Sequence, residues 1–192
     1  RGFIAQGIAR VSGRAAVCLA TSGPGVTNLV TAIADAKLDS VPLVAITGQV
    51  PTSLIGTDAF QEVATLDIVR TVTKRSHLVR RAEELPDVFE DAFTIAESGR
   101  PGPVLIDVPK DVQTQAVWLA SKPRAQSPTV STYSANAAAY DRAADLLAAS
   151  KRPAIYVGGG VVKARAHHLV QALAERMQAP VTMTLMALGT LP

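Results

Sequence analysis

The amino-acid sequence predicts an α/β protein: a doubly wound, mostly parallel sheet followed by the start of a second α/β unit. Three observations carry that expectation. Short apolar runs rich in Val, Ile and Ala alternate with longer segments whose apolar residues recur at helical spacing. The runs end in Gly, Pro, Ser or Thr, the turn residues of strand-to-helix connections. Hydrophobic residues make up 48% of the 192 residues and charged residues 18%, enough for a sizeable core. Aromatics at only 4% leave closely packed aliphatic layers as the way to build it.

The elements follow in order. Residues 2 to 12 carry Phe3, Ile4, Ile8 and Val11 on one helical face, and Gly13 stops the helix. Ala15 to Ala20 reads as a buried strand. Thr21-Ser22-Gly23-Pro24-Gly25 is a turn, with Ser22 as the expected cap and Pro24 suited to a first helical turn. The next helix carries Leu29, Val30, Ile33, Ala34 and Leu38, and Val41 to Ile46 is the next strand. After the turn-rich Thr47 to Pro51 comes a long loop containing GTDAFQE, residues 56 to 62. A helix over about 83 to 98 begins with Glu83-Glu84, repeats Leu85, Val88, Phe89, Ala92, Ile95 and Ala96, and ends at Gly99. Pro103 to Val108 is a strand closed by Pro109.

Composition then shifts. The Ser-, Thr- and Pro-rich stretch after residue 115 reads as a linker over 116–135, separating a first domain, 1–115, from a second, 136–192. The second unit reads as a helix near 137 to 149, a strand 154 to 157, Gly158-Gly159-Gly160, a helix near 165 to 178 and a strand 181 to 185. Both domains are expected to be incomplete, because the chain opens directly on helical pattern at Arg1 and stops one αβαβ unit into its second domain. A sheet opened in that way would expose an edge and apolar helix faces.

Several function classes recede on composition. A net charge of +3 comes from scattered Lys and Arg, which gives no nucleic-acid footprint. No apolar stretch reaches the roughly 20 residues of a membrane helix, and the N-terminus lacks a signal-peptide layout. The single cysteine, Cys18, sits inside an apolar run and reads as a small buried hydrophobe, consistent with a reducing compartment. His77, His167 and His168 have no partners at metal-ligand spacing. Neither a G-x-S-x-G elbow nor a Walker lysine motif occurs.

Two Gly-rich turns remain as sites. TSGPGVTN, residues 21 to 28, joins a strand to a helix, where glycines admit close approach and unpaired N–H groups point outward. YVGGGVVK lacks the third glycine of a dinucleotide fingerprint, since Lys163 stands in its place. From residues alone the reading is an α/β protein with two Gly-rich ligand turns at strand ends.

Taken in order, ATSGPGVTNLVTAIADAKLDSVPLVAITGQVP, IGTDAFQE, SGRPGPVLIDVPKDVQ, YVGGGV and MTLMALG make the chain resemble the catalytic large subunit of the acetohydroxyacid (acetolactate) synthase family. These are enzymes dependent on thiamine diphosphate and containing FAD. The resemblance covers essentially the whole chain and weakens only between about 115 and 140. It implies a pyrimidine-binding domain followed by the start of a Rossmann-like, FAD-binding central domain, with the Mg2+ site in a third domain outside this sequence. It also implies the family reaction: decarboxylation of pyruvate and transfer of the hydroxyethyl group to pyruvate or 2-ketobutyrate, in branched-chain amino-acid biosynthesis. A homodimer or higher homo-oligomer, a regulatory small subunit and a bacterial-like cytoplasmic location, with organelle targeting left open, belong to the same expectation.

The resemblance assigns residues one at a time. Pro24, Gly25 and Asn28 match positions beside the thiamine pyrimidine, and Gln61 matches a glutamine that reaches the reacting centre. Val26, Val50, Pro51, Ala59 and Phe60 match the substrate channel, which Val26, standing where many members carry alanine, would narrow. Arg100, Gly158, Gly159, Gly160, Thr184, Leu185 and Met186 match FAD contacts. The family's general acid–base glutamate falls about three residues upstream of Arg1, so Glu62 reads instead as an anchor of its loop. Two alternatives stand beside this reading: a sister thiamine-diphosphate enzyme (a 2-keto acid decarboxylase, an oxidase or a glyoxylate carboligase), and a noncatalytic nucleotide-binding module.

Overall fold

The computed structural model describes residues 1–117 and 136–192. The expected linker, apart from Ala116 and Val117, lies outside the described residues. The chain divides into two units, Arg1–Val130 and Ser131–Pro192.

In the first unit, helix α1 (Gly2–Ser12) leads to strand β1 (Ala16–Ala20), α2 (Pro24–Leu38) and β2 (Leu43–Gln49). A short helix α3 (Thr65–Val69) and strand β3 (Arg75–Leu78) precede α4 (Leu85–Glu97) and β4 (Pro103–Pro109). The four strands form one sheet in the order β1-β2-β4-β3 with every pairing parallel. Central β2 and β4 have both faces covered, which is why they read as near-continuous apolar runs. Leu43, Ala45 and Leu105 pack on one face with Leu29, Ile33 and Ala36 of α2. Val44, Val104, Ile106 and Val108 pack on the other with Ala92 and Ala96 of α4. The doubly wound arrangement follows from that alternation.

Gly13 ends α1 in the left-handed conformation, φ 71°, and its N–H bonds to the Ala9 carbonyl. The apolar stripe of α1 is not its buried face. Ala5, Gln6 and Ala9 are buried, whereas Phe3, Ile4, Ile8 and Val11 are exposed, Val11 at 90%. Close approach decides this. A β-carbon on Gly2 would lie 2.5 Å from the Ala32 β-carbon, and Gln6 Nε2 donates to the Ala32 carbonyl at 2.6 Å. At Gly2 the approach of α1 to α2 leaves no room for a side chain, and Gln6 enters the contact by bonding the α2 backbone. Val17 and Leu19 of β1, an outer strand of the sheet, are exposed as well.

The end of α4 is closed by Lys74, whose Nζ donates to the Ile95 carbonyl and, at 2.7 Å, to the Ser98 carbonyl.

The second unit pairs β5 (Ile155–Val157) with β6 (Val181–Met183) in parallel and carries α5 (Ala137–Ala148), α6 (Gly159–Lys163) and α7 (His167–Met177). The glycine run is the start of α6 rather than an open turn, with Gly158 as its N-cap. Leu185 and Met186, expected at or beside a strand end, lie in a 3-10 turn, Leu185–Ala187. Among the described residues no helix is long and apolar enough to cross a membrane.

Candidate functional site

A parallel sheet collects the carboxyl ends of its strands on one edge, where ligands of such folds bind. Here that edge gathers the turn after β1, the loop after β2 and the turn after β4. Gly23 is the point of contact. Its φ of 56° and ψ of −110° suit a residue without a side chain, and a β-carbon there would lie 2.6 Å from the carbonyl oxygen of Gln61. The Gly-rich turn and the GTDAFQE loop, far apart in sequence, therefore touch through backbone. Ser22 does not cap α2 with its side chain. Gly23 occupies the N-cap position, and the Ser22 carbonyl accepts the Gly25 N–H at 3.2 Å.

The loop after β2 is held at three places. At its start the Val50 N–H donates to Gln49 Oε1 at 2.9 Å. Beyond Pro51, Thr52 donates its N–H to Asp111 Oδ1 at 2.9 Å and its hydroxyl to Oδ2 at 2.5 Å, which holds the Asp111 carboxyl below its ordinary pKa. At its far end the Glu62 carboxylate accepts N–H groups from Gly56, Thr57 (3.2 Å) and Ala59 (3.1 Å). Those backbone donors, Gly56 first, pull the Glu62 pKa down. Glu62 is the anchor its position suggested. The loop needs one, because Asp58 and Gln61 are non-glycine residues at positive φ, 57° and 64°. Phe60 is 89% exposed, Gln61 is exposed beside it, and Ala59 is half-buried.

Beneath the loop lies a buried polar network. Asp107 of β4 is fully buried and accepts the Thr47 hydroxyl at 2.6 Å and Gln49 Nε2 at 3.1 Å. Gln49 Nε2 also reaches the Val63 carbonyl at 3.0 Å and Thr65 Oγ1 at 3.2 Å, so the network grips the chain where the loop ends. Burial pushes the Asp107 carboxyl up despite the hydrogen bonds that oppose it. Sequence reasoning missed this group. Its signal was a charge inside an apolar strand, at the register position paired with Thr47 of the neighbouring strand.

The remaining expected positions are more scattered. Pro24 and Asn28 are exposed on the first turns of α2, where Asn28 Nδ2 donates to the Pro24 carbonyl at 2.7 Å. At Gly25 an added β-carbon would lie 2.9 Å from Thr21 Cγ2, the tip of an exposed side chain, and 3.4 Å from the Ala20 β-carbon. Val26 departs from expectation: at 0% exposure it offers no surface to a channel, because it faces inward from the first turn of α2. Val50 is buried and Pro51 half-buried. Arg100 lies before β4, at the opposite end of the strands. It donates to Ser40 Oγ at 2.6 Å and to the Leu38 carbonyl at 2.9 Å, clamping the end of α2. In the second unit Gly159 packs on Met186, whose β-carbon would be 3.0 Å from an added Cβ, and the Thr184 N–H donates to the Val157 carbonyl at 2.9 Å. The two candidate flavin segments are thus neighbours, while Leu185 is exposed. Among the described residues no three His, Cys, Asp or Glu side chains converge as a metal cluster.

Two family models match the chain. The N-terminal TPP-binding domain of thiamine pyrophosphate enzymes matches residues 2–69, and the central domain of the same enzymes matches residues 140–192, together more than half of the chain. The chain belongs to the thiamine pyrophosphate enzymes. It is 58% identical over 195 residues to the acetolactate synthase isozyme 1 large subunit of Escherichia coli (strain K12), covering 100% of this chain and 34% of that protein. Identity to the acetolactate synthase large subunit of Corynebacterium glutamicum is 50%, over 100% of this chain and 31% of that one. Acetolactate synthase 1, chloroplastic, of Zea mays is 49% identical, over 99% of this chain and 30% of its own length. The chain thus spans about a third of these relatives. At the carboxyl edge the exposed set joins apolar contact from Phe60 and Pro24 with the side-chain amides of Gln61 and Asn28.

Proposed function

We propose that this chain is the cofactor- and substrate-facing part of an acetolactate synthase large subunit, which joins two 2-keto acids, pyruvate with pyruvate or 2-ketobutyrate, after loss of carbon dioxide from the first. The observation that carries the reading is the contact of Gly23 with the Gln61 backbone, which puts the Gly-rich turn and the GTDAFQE loop at one edge of the sheet. Similarity to acetolactate synthases along the whole chain supports it. Thiamine diphosphate, when bound, supplies the electron sink for decarboxylation. This chain's residues orient and shield. Pro24 and Asn28 would lie beside the cofactor's ring, Gln61 presents an amide that can donate to a keto or carboxylate oxygen, and Phe60, Ala59 and Pro51 would keep water from that side.

FAD and Mg2+ belong to the same proposal, with Gly158, Gly159, Gly160, Thr184, Leu185 and Met186 as the second unit's candidate flavin contacts. By its chemistry Arg100 is a candidate for a phosphate or a flavin edge. A homo-oligomer and a regulatory small subunit complete the assembly proposed. The test uses the complete protein with thiamine diphosphate, Mg2+ and pyruvate. Acetolactate is the expected product, and its formation should fall steeply in the Gln61→Ala variant. Acetaldehyde without acetolactate would overturn the reading in favour of a decarboxylase. Absence of both products would overturn it in favour of an oxidase or a glyoxylate carboligase if pyruvate oxidation or glyoxylate condensation is then found, and of a noncatalytic module if it is not.

A further inference from the structure

We propose that Glu62 and Gly23 are the positioning residues of Gln61, fixing from opposite sides the backbone that aims its amide; the proposal rests on the functional reading above. Gln61 sits in the left-handed region at φ 64°, a conformation that a non-glycine residue holds only when its surroundings impose it. Two contacts impose it. From within the loop, the Glu62 carboxylate gathers the N–H groups of Gly56, Thr57 and Ala59, while its own N–H donates to the Ala59 carbonyl at 2.9 Å. Residues 56 to 62 close into a ring from which Phe60 and Gln61 project. From outside the loop, the α-carbon of Gly23 packs against that ring. A β-carbon there would lie 2.6 Å from the Gln61 oxygen, 2.9 Å from its carbonyl carbon and 2.9 Å from its α-carbon.

The obstruction is backbone rather than a side-chain tip, so it cannot be relieved by a rotamer change. Any side chain at residue 23 must displace Gln61, and loss of the carboxylate at residue 62 must loosen the ring. Neither residue needs to touch substrate. Because its oxygens already hold the loop's N–H groups, Glu62 acts through Gln61 and not as an acid or base.

The experiment uses the complete protein with Glu62→Gln, Gly23→Ala, Gln61→Ala and the Gln61→Ala/Glu62→Gln double variant. Amide hydrogen exchange, measured without ligands, should quicken about tenfold or more at Gly56, Thr57 and Ala59 in Glu62→Gln, with the amides of β2 and β4 unchanged. With pyruvate and thiamine diphosphate, Glu62→Gln should lower kcat/KM about tenfold when Gln61 is present. The same change should have less than about a threefold effect when residue 61 is alanine, because the amide it aims is gone and only the Phe60 side of the ring is left to disturb. Gly23→Ala, which forces a backbone shift approaching 1 Å, should cost on the order of a hundredfold. If that variant does not fold, the Glu62 pair decides alone. Unchanged exchange at the three amides, or losses that simply multiply in the double variant, overturn the positioning role. A Gln61→Ala protein with undiminished turnover overturns the functional reading instead, and the exchange result still decides the positioning.

Discussion

Replacing Asp107 tests whether the network under the loop is a strut or an accident of burial. In Asp107→Ala the Thr47 hydroxyl loses its 2.6 Å acceptor, while Gln49 Nε2 keeps the Val63 carbonyl and Thr65 Oγ1. Thr47 is itself buried, so orphaning that hydroxyl costs about 1–3 kcal/mol. The void left by the shortened side chain adds about 1 kcal/mol. Removing a desolvated carboxylate returns part of this, leaving a net loss of about 2–3 kcal/mol. Asp107→Asn keeps the volume and one acceptor but sets an amide donor against Gln49 Nε2, for about 1 kcal/mol near neutral pH. Hydrogen exchange of β4 amides in the complete protein under increasing urea reads the local opening free energy. An Ala variant within about 0.5 kcal/mol of the parent would refute the strut. The pH dependence gives a second check. The folded pKa of Asp107 lies above the unfolded value of about 3.9. Between the two the folded state holds more protons, so stability falls as pH rises and then levels off. The Asn variant lacks that fall, so its deficit should shrink with rising pH; a deficit that grows would refute the assignment.

Leu105→Ala, at a fully buried position of central β4, should cost about 2–5 kcal/mol by the same exchange measurement, and a loss under 1 kcal/mol would mean the core collapses around it. Gly13→Ala should cost only about 1 kcal/mol, because φ of 71° is its sole difficulty and no atom lies within 4 Å of the added carbon. Gly25→Ala should cost less than Gly13→Ala, since Gly25 lies within α2 and its added carbon crowds only Thr21 Cγ2, the tip of an exposed side chain that can turn away. A lower melting temperature for Gly25→Ala would contradict this. Glu62 should titrate below the ordinary glutamate range in a carboxyl-carbon NMR experiment. Because its folded pKa is depressed, the loop anchor is present at neutral pH and lost as pH falls through that value, so the Gly56 and Ala59 amide signals should move with it.

Where packing on both faces dictated composition, the sequence was legible. β2, β4 and α2 were expected close to where they stand, since a buried strand has to be apolar throughout and a helix on a sheet has to repeat near 3.6. Outer strand β3 escaped notice because Arg75-Ser76-His77-Leu78 is only partly covered and shows no apolar run. Five-residue α3 is too short to display a period. On α1 the apolar stripe was visible, but the buried face proved to be that of Gly2, Ala5, Gln6 and Ala9, set by close approach to α2 and a hydrogen bond to its backbone rather than by hydropathy. The candidate site was half legible. GTDAFQE announced itself by holding Phe60 and Gln61 in a polar loop, and Glu62 by its place beside them. Asp107, Thr47 and Gln49 did not, because their meaning lies in strand register, which one strand's residues do not encode. The enclosure of Val26 depends on tertiary packing in the same way.

The ring closed by Glu62 also bears on how tightly anything can bind at this edge. A flexible loop that must order around a ligand loses roughly 1–2 kcal/mol of backbone entropy per residue, subtracted from affinity. Residues 56 to 62 undergo that loss during folding, through a carboxylate carried in the same segment. A small substrate with few atoms to offer therefore meets a surface already fixed, and its limited contact energy can go into orientation rather than into assembling the wall.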